Sequence, residues 1–280
     1  MTIRSIICII CILCLSLLYT KASAMDYSPL SPKKNWVYKK VADIGSSRYL
    51  LYKDTIKNEF CASYYSNLDE SAKAIKIPSK ISYEGITYIV RDVDMDYTGG
   101  GQNVESVSLP TTVVSIDHLL CPALSQIKIP SSTTYIGSEA FSGCNSFVSI
   151  EIPNSVIHIG DGAFANCEKL ESVILPRSLK SIGKRTFQNC VNLQTVKWSK
   201  EHKPVRYADL SSDERNNLMN VIPSYLFDGC TSLGVIEAIE FPYPIETISE
   251  FAFNGCEKLK SIVIPIWGKL NCIDKAEGCI

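Results

Sequence analysis

The stretch Ile152-Pro153-Asn154-Ser155-Val156-Ile157-His158-Ile159-Gly160-Asp161-Gly162-Ala163-Phe164-Ala165-Asn166-Cys167-Glu168-Lys169-Leu170-Glu171-Ser172-Val173 decides the fold. Its phrase Ile159-Gly160-x-x-Ala163-Phe164-x-x-Cys167 recurs one period upstream as Ile136-Gly137-x-x-Ala140-Phe141-x-x-Cys144. It recurs one period downstream as Ile182-Gly183-x-x-x-Phe187-x-x-Cys190. Each Cys is followed at +3 by Phe147, Leu170 or Leu193 and at +6 by Ile150, Val173 or Val196. The period is 23 residues. Farther along, Phe227-x-x-Cys230 and Phe253-x-x-Cys256 continue the series, and Val107, Ile127 and a degenerate Ile75 mark strand cores before it. From Cys121 to Cys279, with Cys272 set aside, the cysteines are separated by 23, 23, 23, 40, 26 and 23 residues.

A unit this short cannot close a core of its own, so consecutive units must stack. The x-Ile-x-Ile alternation predicts a short strand with one inward face. Proline ends it, because it cannot donate to a ladder. Ile-Gly then turns the chain, and Ala-Phe-x-x-Cys forms a tight or 3₁₀-like return. Phe141, Phe164, Phe187, Phe227 and Phe253 are predicted to fill the coils. Cys144, Cys167, Cys190, Cys230 and Cys256 are predicted to line them as buried thiols, since a free Cys packs as a small hydrophobe with a weak donor.

This pattern resembles the BspA-like class of leucine-rich repeats over roughly residues 75–280. The phrase Tyr83-Glu84-Gly85-Ile86-Thr87-Tyr88-Ile89-Val90 resembles the N-terminal region of such proteins. The resemblance implies an α/β-type solenoid: a right-handed leucine-rich-repeat coil with short parallel strands on one face, tight or 3₁₀ returns and an N-terminal β-hairpin cap. It also implies a secreted or surface-exposed microbial protein, with adhesion to host or neighbouring cells among the roles of the class.

The chain has 280 residues, of which 46% are hydrophobic and 20% charged, so it can bury a core. Its formal net charge is -1, which provides no field to recruit nucleic acid. Arg4, the apolar run Ile6 to Tyr19 and Ala22-Ser23-Ala24 read as a signal peptide over 1–24, with no stable membrane insertion after cleavage. Residues 25–72, rich in Tyr with Trp36 and Phe60, read as a β-rich cap. Residues 73–265 are the repeats, with an insertion at 199–221, and 266–280 are a degenerate last unit.

The outward residues of the strand face are the candidate ligand contacts: Lys128, Glu151, Ile174 and Lys197, then Glu237, with Ser149, Ser172 and Thr195 beside them. An extended face of this kind suits an extracellular protein or glycan better than a buried small substrate. The alternative is a structural or assembly component of the cell envelope with no dedicated ligand. Cys272 and Cys279 are a candidate disulfide that would pin the terminus. Cys pairs at metal spacing are missing from the mature chain, and only 3 His occur, so no metal, cofactor or catalytic set is expected. His118 near Cys121 and His158 near Cys167 are adjacent in sequence only. Asp92-x-Asp94-x-Asp96 opens like a calcium loop, but Tyr97 and Asn103 stand where Gly and Glu are needed, so solvated aspartates are expected.

Overall fold

A computed structural model describes residues 35–95, 101–199, 219–234, 239–240, 245–263 and 271–272. The proposed leader, most of the 199–221 insertion and most of the last unit lie outside these residues.

The chain opens with an antiparallel meander of β1 (Trp36–Ile44), β2 (Ser47–Asp54) and β3 (Glu59–Asn67). Then come β4 (Ala74–Lys76), β5 (Lys80–Tyr83) and β6 (Ile86–Asp94). The coils follow as β7 (Ser106–Ser108), β8 (Ser115–Asp117), β9 (Gln126–Ile127), β10 (Tyr135–Ile136), β11 (Ser149–Glu151) and β12 (His158–Ile159). They continue as β13 (Ser172–Leu175), β14 (Ser181–Ile182), β15 (Thr195–Trp198), β16 (Val221–Ile222) and β17 (Ile239–Glu240). The last are β18 (Thr247–Ile248), β19 (Ile262–Val263) and β20 (Asn271–Cys272).

Each regular coil has three sides. The first is the front strand, which carries the x-Ile-x-Ile phrase. Front strands stack in parallel as β4-β7-β9, then β11-β13-β15, then β17-β19. The second side is a rear strand at the Ile-Gly phrase, read from sequence only as a turn. Rear strands pair in parallel as β6-β8-β10-β12-β14, and later as β16-β18-β20. The third side is the return that carries Phe and Cys.

The expected α/β character and 3₁₀ returns give way here to a β-solenoid. The described returns are successions of hydrogen-bonded turns, and no α-helix occurs among the described residues. The physical reason is a left-handed backbone at two places in each return. One lies five residues before the Cys, at Glu139, Gly162, Arg185, Tyr225 and Phe251. The other lies just before the Cys, at Gly143, Asn166, Asn189, Gly229 and Gly255. Gly and Asn tolerate this region best. Such residues break any run of right-handed ones, so a helical turn cannot propagate.

Alternate amides of the return are therefore free to leave the coil. Glu139, Phe141 and Gly143 donate to the carbonyls of Asp161, Ala163 and Ala165 at 2.8, 2.7 and 2.8 Å. Gly162, Phe164 and Asn166 donate likewise to Lys184, Thr186 and Gln188. The same ladder continues from Phe187 to Leu226 and from Phe227 to Ala252. All of these bonds run from one coil to the next in the same direction.

The thiols run the other way. Cys167 Sγ donates to the Phe141 carbonyl at 3.2 Å, Cys190 to Phe164 at 3.1 Å, Cys230 to Phe187 at 3.1 Å and Cys256 to Phe227 at 3.2 Å. The carbonyls of Phe141, Phe187 and Phe227 also accept the amide of the Cys in their own coil. Both lone pairs are thus used, which a buried carbonyl favours.

Between the ladders the five phenyl rings form one column. Phe141 stacks on Phe164 at 5.2 Å, and the steps to Phe187, Phe227 and Phe253 are each 5.6 Å. Glycine is required behind it: a Cβ on Gly160 would lie 2.4 Å from the Ser138 amide, and one on Gly183 would lie 2.3 Å from the Asp161 amide.

The N-terminal meander is part of the same sheet as the rear ladder, because β3 pairs in parallel with β6. Tyr49, Leu51, Ala62 and Tyr64 face the solenoid core, while Leu50, Tyr52, Cys61 and Tyr65 form a second cluster on the other side. The alternation of a half-buried strand puts them there.

Truncating Phe164 to Ala leaves a hole in the ring column between Phe141 and Phe187. Phe164→Ala is expected to cost about 3–5 kcal/mol. Urea unfolding of the two proteins checks this, and an unchanged midpoint would contradict the column.

Candidate functional site

Front-strand residues sit in rows because the parallel register is exact across β11, β13 and β15. Ser149 pairs with Ser172 and Ser172 with Thr195. Glu151 pairs with Ile174 and Ile174 with Lys197. Their inward neighbours Ile150, Val173 and Val196 are buried. Ser149, Glu151 and Lys197 are exposed, and Ser172, Ile174 and Thr195 half-buried. Strand spacing of about 4.8 Å makes each row a regular track. Lys128 is exposed just past β9, on the preceding coil. Glu237 lies outside the described residues, as does Cys279, so the candidate disulfide with Cys272 does too.

The front ladder has a seam. β9 and β11 are neighbours in the stack, yet they belong to different sheets and no backbone hydrogen bond joins them. At the next step, by contrast, Glu171 and Ser172 donate to Val148, and Ile152 donates to Ile174. The rear ladder stays closed at the same level, with Tyr135 paired to His158 and Ile136 to Ile159. The cause lies in the return. Eleven residues carry the chain from Ile116 to Ile127, where fourteen carry it from Ile136 to Ile150. Leu119 takes the place of the Phe in the shorter return, and its carbonyl accepts the Cys144 thiol at 3.5 Å, while Leu124 holds the usual +3 position. The coils are thus held together at the back and stand apart at the front.

The resulting cleft has a volume of about 680 Å³. One wall is Gln126, Lys128 and Ser131, and the other is Ser149, Glu151 and the Pro153-Asn154-Ser155 corner. Ser199 reaches it from two coils away, accepting from Asn154 Nδ2 at 3.1 Å, while its carbonyl accepts from Arg177 Nε at 2.9 Å. Ser155 Oγ is buried and has no hydrogen-bond partner among the described residues. Three of the eight face residues read from sequence, Lys128, Ser149 and Glu151, meet here. Ile174, Lys197, Ser172 and Thr195 lie along the continuous face beyond. Ser131, Asn154 and Ser155 were missed by sequence reading. Their signal is a polar residue one or two positions after a strand-ending proline, Pro130 or Pro153.

The cysteines and histidines are held apart. Cys121 and Cys167 are buried inside the coils. His118 Nδ1 lies 3.0 Å from Asp94 Oδ1. His158 stacks on Tyr135 at 4.8 Å and hydrogen-bonds Ser181 Oγ through Nδ1. Burial holds the His158 imidazole below its ordinary pKa, against the pull of Asp161 and Asp117. The aspartates expected in solvent are buried instead. Asp92 and Asp94 sit on the outer side of the rear sheet, where Asp92 lies in register between Ser63 and Ser115 and accepts from Ser63 Oγ. Asp96 lies outside the described residues. Among the described residues, no cluster of three or more His, Cys, Asp and Glu could hold a metal ion. No helix among them is long and apolar enough to cross a membrane.

Burial pushes the thiols of Cys61, Cys121, Cys144 and Cys256 up to about 12 from the ordinary 9.0. Below pH 9 both folded and unfolded chains keep these protons, and the contribution to stability is constant. Above it the unfolded thiols ionise and the folded ones do not, so stability falls until about pH 12. Each thiol is expected to remove about 1.4 kcal/mol per pH unit in that window. The urea midpoint should hold from pH 7 to 8.5 and fall steeply by pH 11, with a shallower fall in Cys144→Ala. Equal slopes in the two proteins would contradict the buried thiol.

Comparison with known proteins places this geometry. The model of the BspA type leucine rich repeat region matches six copies, over residues 118–208 and 207–276. A leucine-rich repeat protein from Bacteroides ovatus superposes with a TM-score of 0.55 at 22% identity, covering 86% of this chain and 53% of that one. The chain therefore spans about half the length of that protein. The T. pallidum leucine rich repeat protein superposes with a TM-score of 0.55 at 25% identity, covering 82% of this chain and 90% of that one. No curated protein matches the chain.

Proposed function

This chain belongs to the BspA-type leucine-rich repeat family, and from that premise we propose that it is a secreted or cell-surface protein that binds an extracellular macromolecule through its front strand face. The observation that carries this reading is the face itself. Its exposed side chains stand in rows at strand spacing, and a polar cleft interrupts them where three coils converge. A long ordered track of shallow contacts fits a large partner, because solenoids present extended surfaces in place of deep pockets. The apolar leader read at 1–24 supports export. Adhesion to host tissue or to neighbouring cells is the cellular role that fits both. The cap at 25–72 and the repeats at 73–265 serve that face as its frame.

The test is direct. Immobilised protein is exposed to a panel of extracellular matrix proteins and glycans. Saturable binding of at least one is expected, weakened tenfold or more by the double charge reversal Glu151→Lys, Lys197→Glu. Loss of that size corresponds to about 1.4 kcal/mol or more. A panel without binders would remove the reading, and binding untouched by the reversal would move it off this face.

A further inference from the structure

We propose that the seam between β9 and β11 is a binding site for a neutral saccharide unit, a deepening that rests on the reading of the front face as a binding surface. The cleft of about 680 Å³ falls within the size range of small-molecule sites. Its walls set hydroxyl and amide groups, Gln126 and Ser131 on one side and Ser149 and Ser155 on the other, around apolar patches of Ile127, Ile129, Ile150 and Ile152 that suit the C–H face of a sugar ring. A sugar ring presents a belt of hydroxyls, each at once donor and acceptor, and such walls answer them in kind. One cation, Lys128, faces one carboxylate, Glu151, so the rim has no net charge to favour an acidic ligand. Both form charge-assisted bonds to neutral hydroxyls.

Two observations point to an occupant. Ser155 Oγ is buried at the cleft without a partner among the described residues, and a buried hydroxyl left so is costly. The facing edges of β9 and β11 are also unpaired to one another, so their backbone groups are open to a ligand along the seam.

The geometry chooses against a peptide strand. An inserted strand needs about 9–10 Å between its neighbours. The closed rear pairing of Tyr135 with His158 and Ile136 with Ile159 holds these two coils at normal spacing, so the front gap is a wedge. A ring lying at the mouth of a wedge fits it, and an extended backbone threaded through it does not.

Saturation-transfer NMR on the purified protein, with lactose, maltose, cellobiose and chitobiose as probes, tests the site. A heparin disaccharide and an extended peptide of alternating Val and Thr are the competing arms. Saturable binding of at least one neutral sugar is expected, weakened tenfold or more by Ser149→Trp, which blocks the exposed mouth, and by Ser155→Val. Lys57→Trp, in the exposed turn between β2 and β3 of the N-terminal meander, should leave it unchanged. Melting curves of each variant confirm that it is folded. Binding of no sugar, binding unaltered in Ser149→Trp, or preference for the heparin or peptide probe would overturn the site. If matrix proteins still bind and Lys197→Glu weakens them, only the saccharide assignment falls. If they do not bind either, the reading of the whole face falls with it.

Discussion

The contact of one coil with the next is what the rest of this molecule depends on. A 23-residue unit has one apolar side and no means of hiding it alone. Stacking supplies the means three times over in every regular coil: a front strand, a rear strand and a return. In the return the bonding is directional. Amides of each coil reach forward to the carbonyls of the next, and thiols reach backward to the Phe carbonyls. The phenyl column fills the space between, with rings 5.2–5.6 Å apart along the stack. Cysteine suits its position because it is small and apolar enough to be buried, yet still able to donate once.

The absence of helix from the described returns follows from the same arrangement. Forward-pointing amides are available only if the return does not bond to itself as a helix does. Two left-handed residues per coil ensure this, and the sequence supplies Gly or Asn at the one next to Cys. Column glycines such as Gly160 and Gly183 then allow backbones to approach where any Cβ would collide. The N-terminal meander obeys the same requirement at the first coil. It continues the rear sheet through β3 and β6 and contributes Tyr49, Leu51 and Tyr64 to the common core.

The seam is the consequence of one departure from regularity. A return three residues shorter than its neighbours displaces β9 from β11 but leaves the rear strands in register. Packing tolerates this because Leu119 replaces the missing ring. The cost is an open edge on an otherwise closed face, and that edge is where polar side chains of three coils gather.

The amino-acid sequence by itself determined the period, the stacking, the inward Phe and Cys and the outward row from Lys128 to Lys197. It could do so because burial of a repeated apolar pattern leaves one solution. The second ladder at Ile-Gly, the turn character of the returns and the burial of Asp92 and Asp94 came only from the tertiary structure. Each depends on what the adjacent coil presents: a partner strand for Ile159, an acceptor carbonyl for the Phe164 amide, a hydroxyl from Ser63 for Asp92. The cleft belongs to the same class. The short return and the polar residues after Pro130 and Pro153 are visible in the chain, but only three-dimensional stacking turns a missing three residues into a gap with Ser155 beside it. Periodicity records what every coil shares, and a site made by the mismatch of two coils lies in their relation.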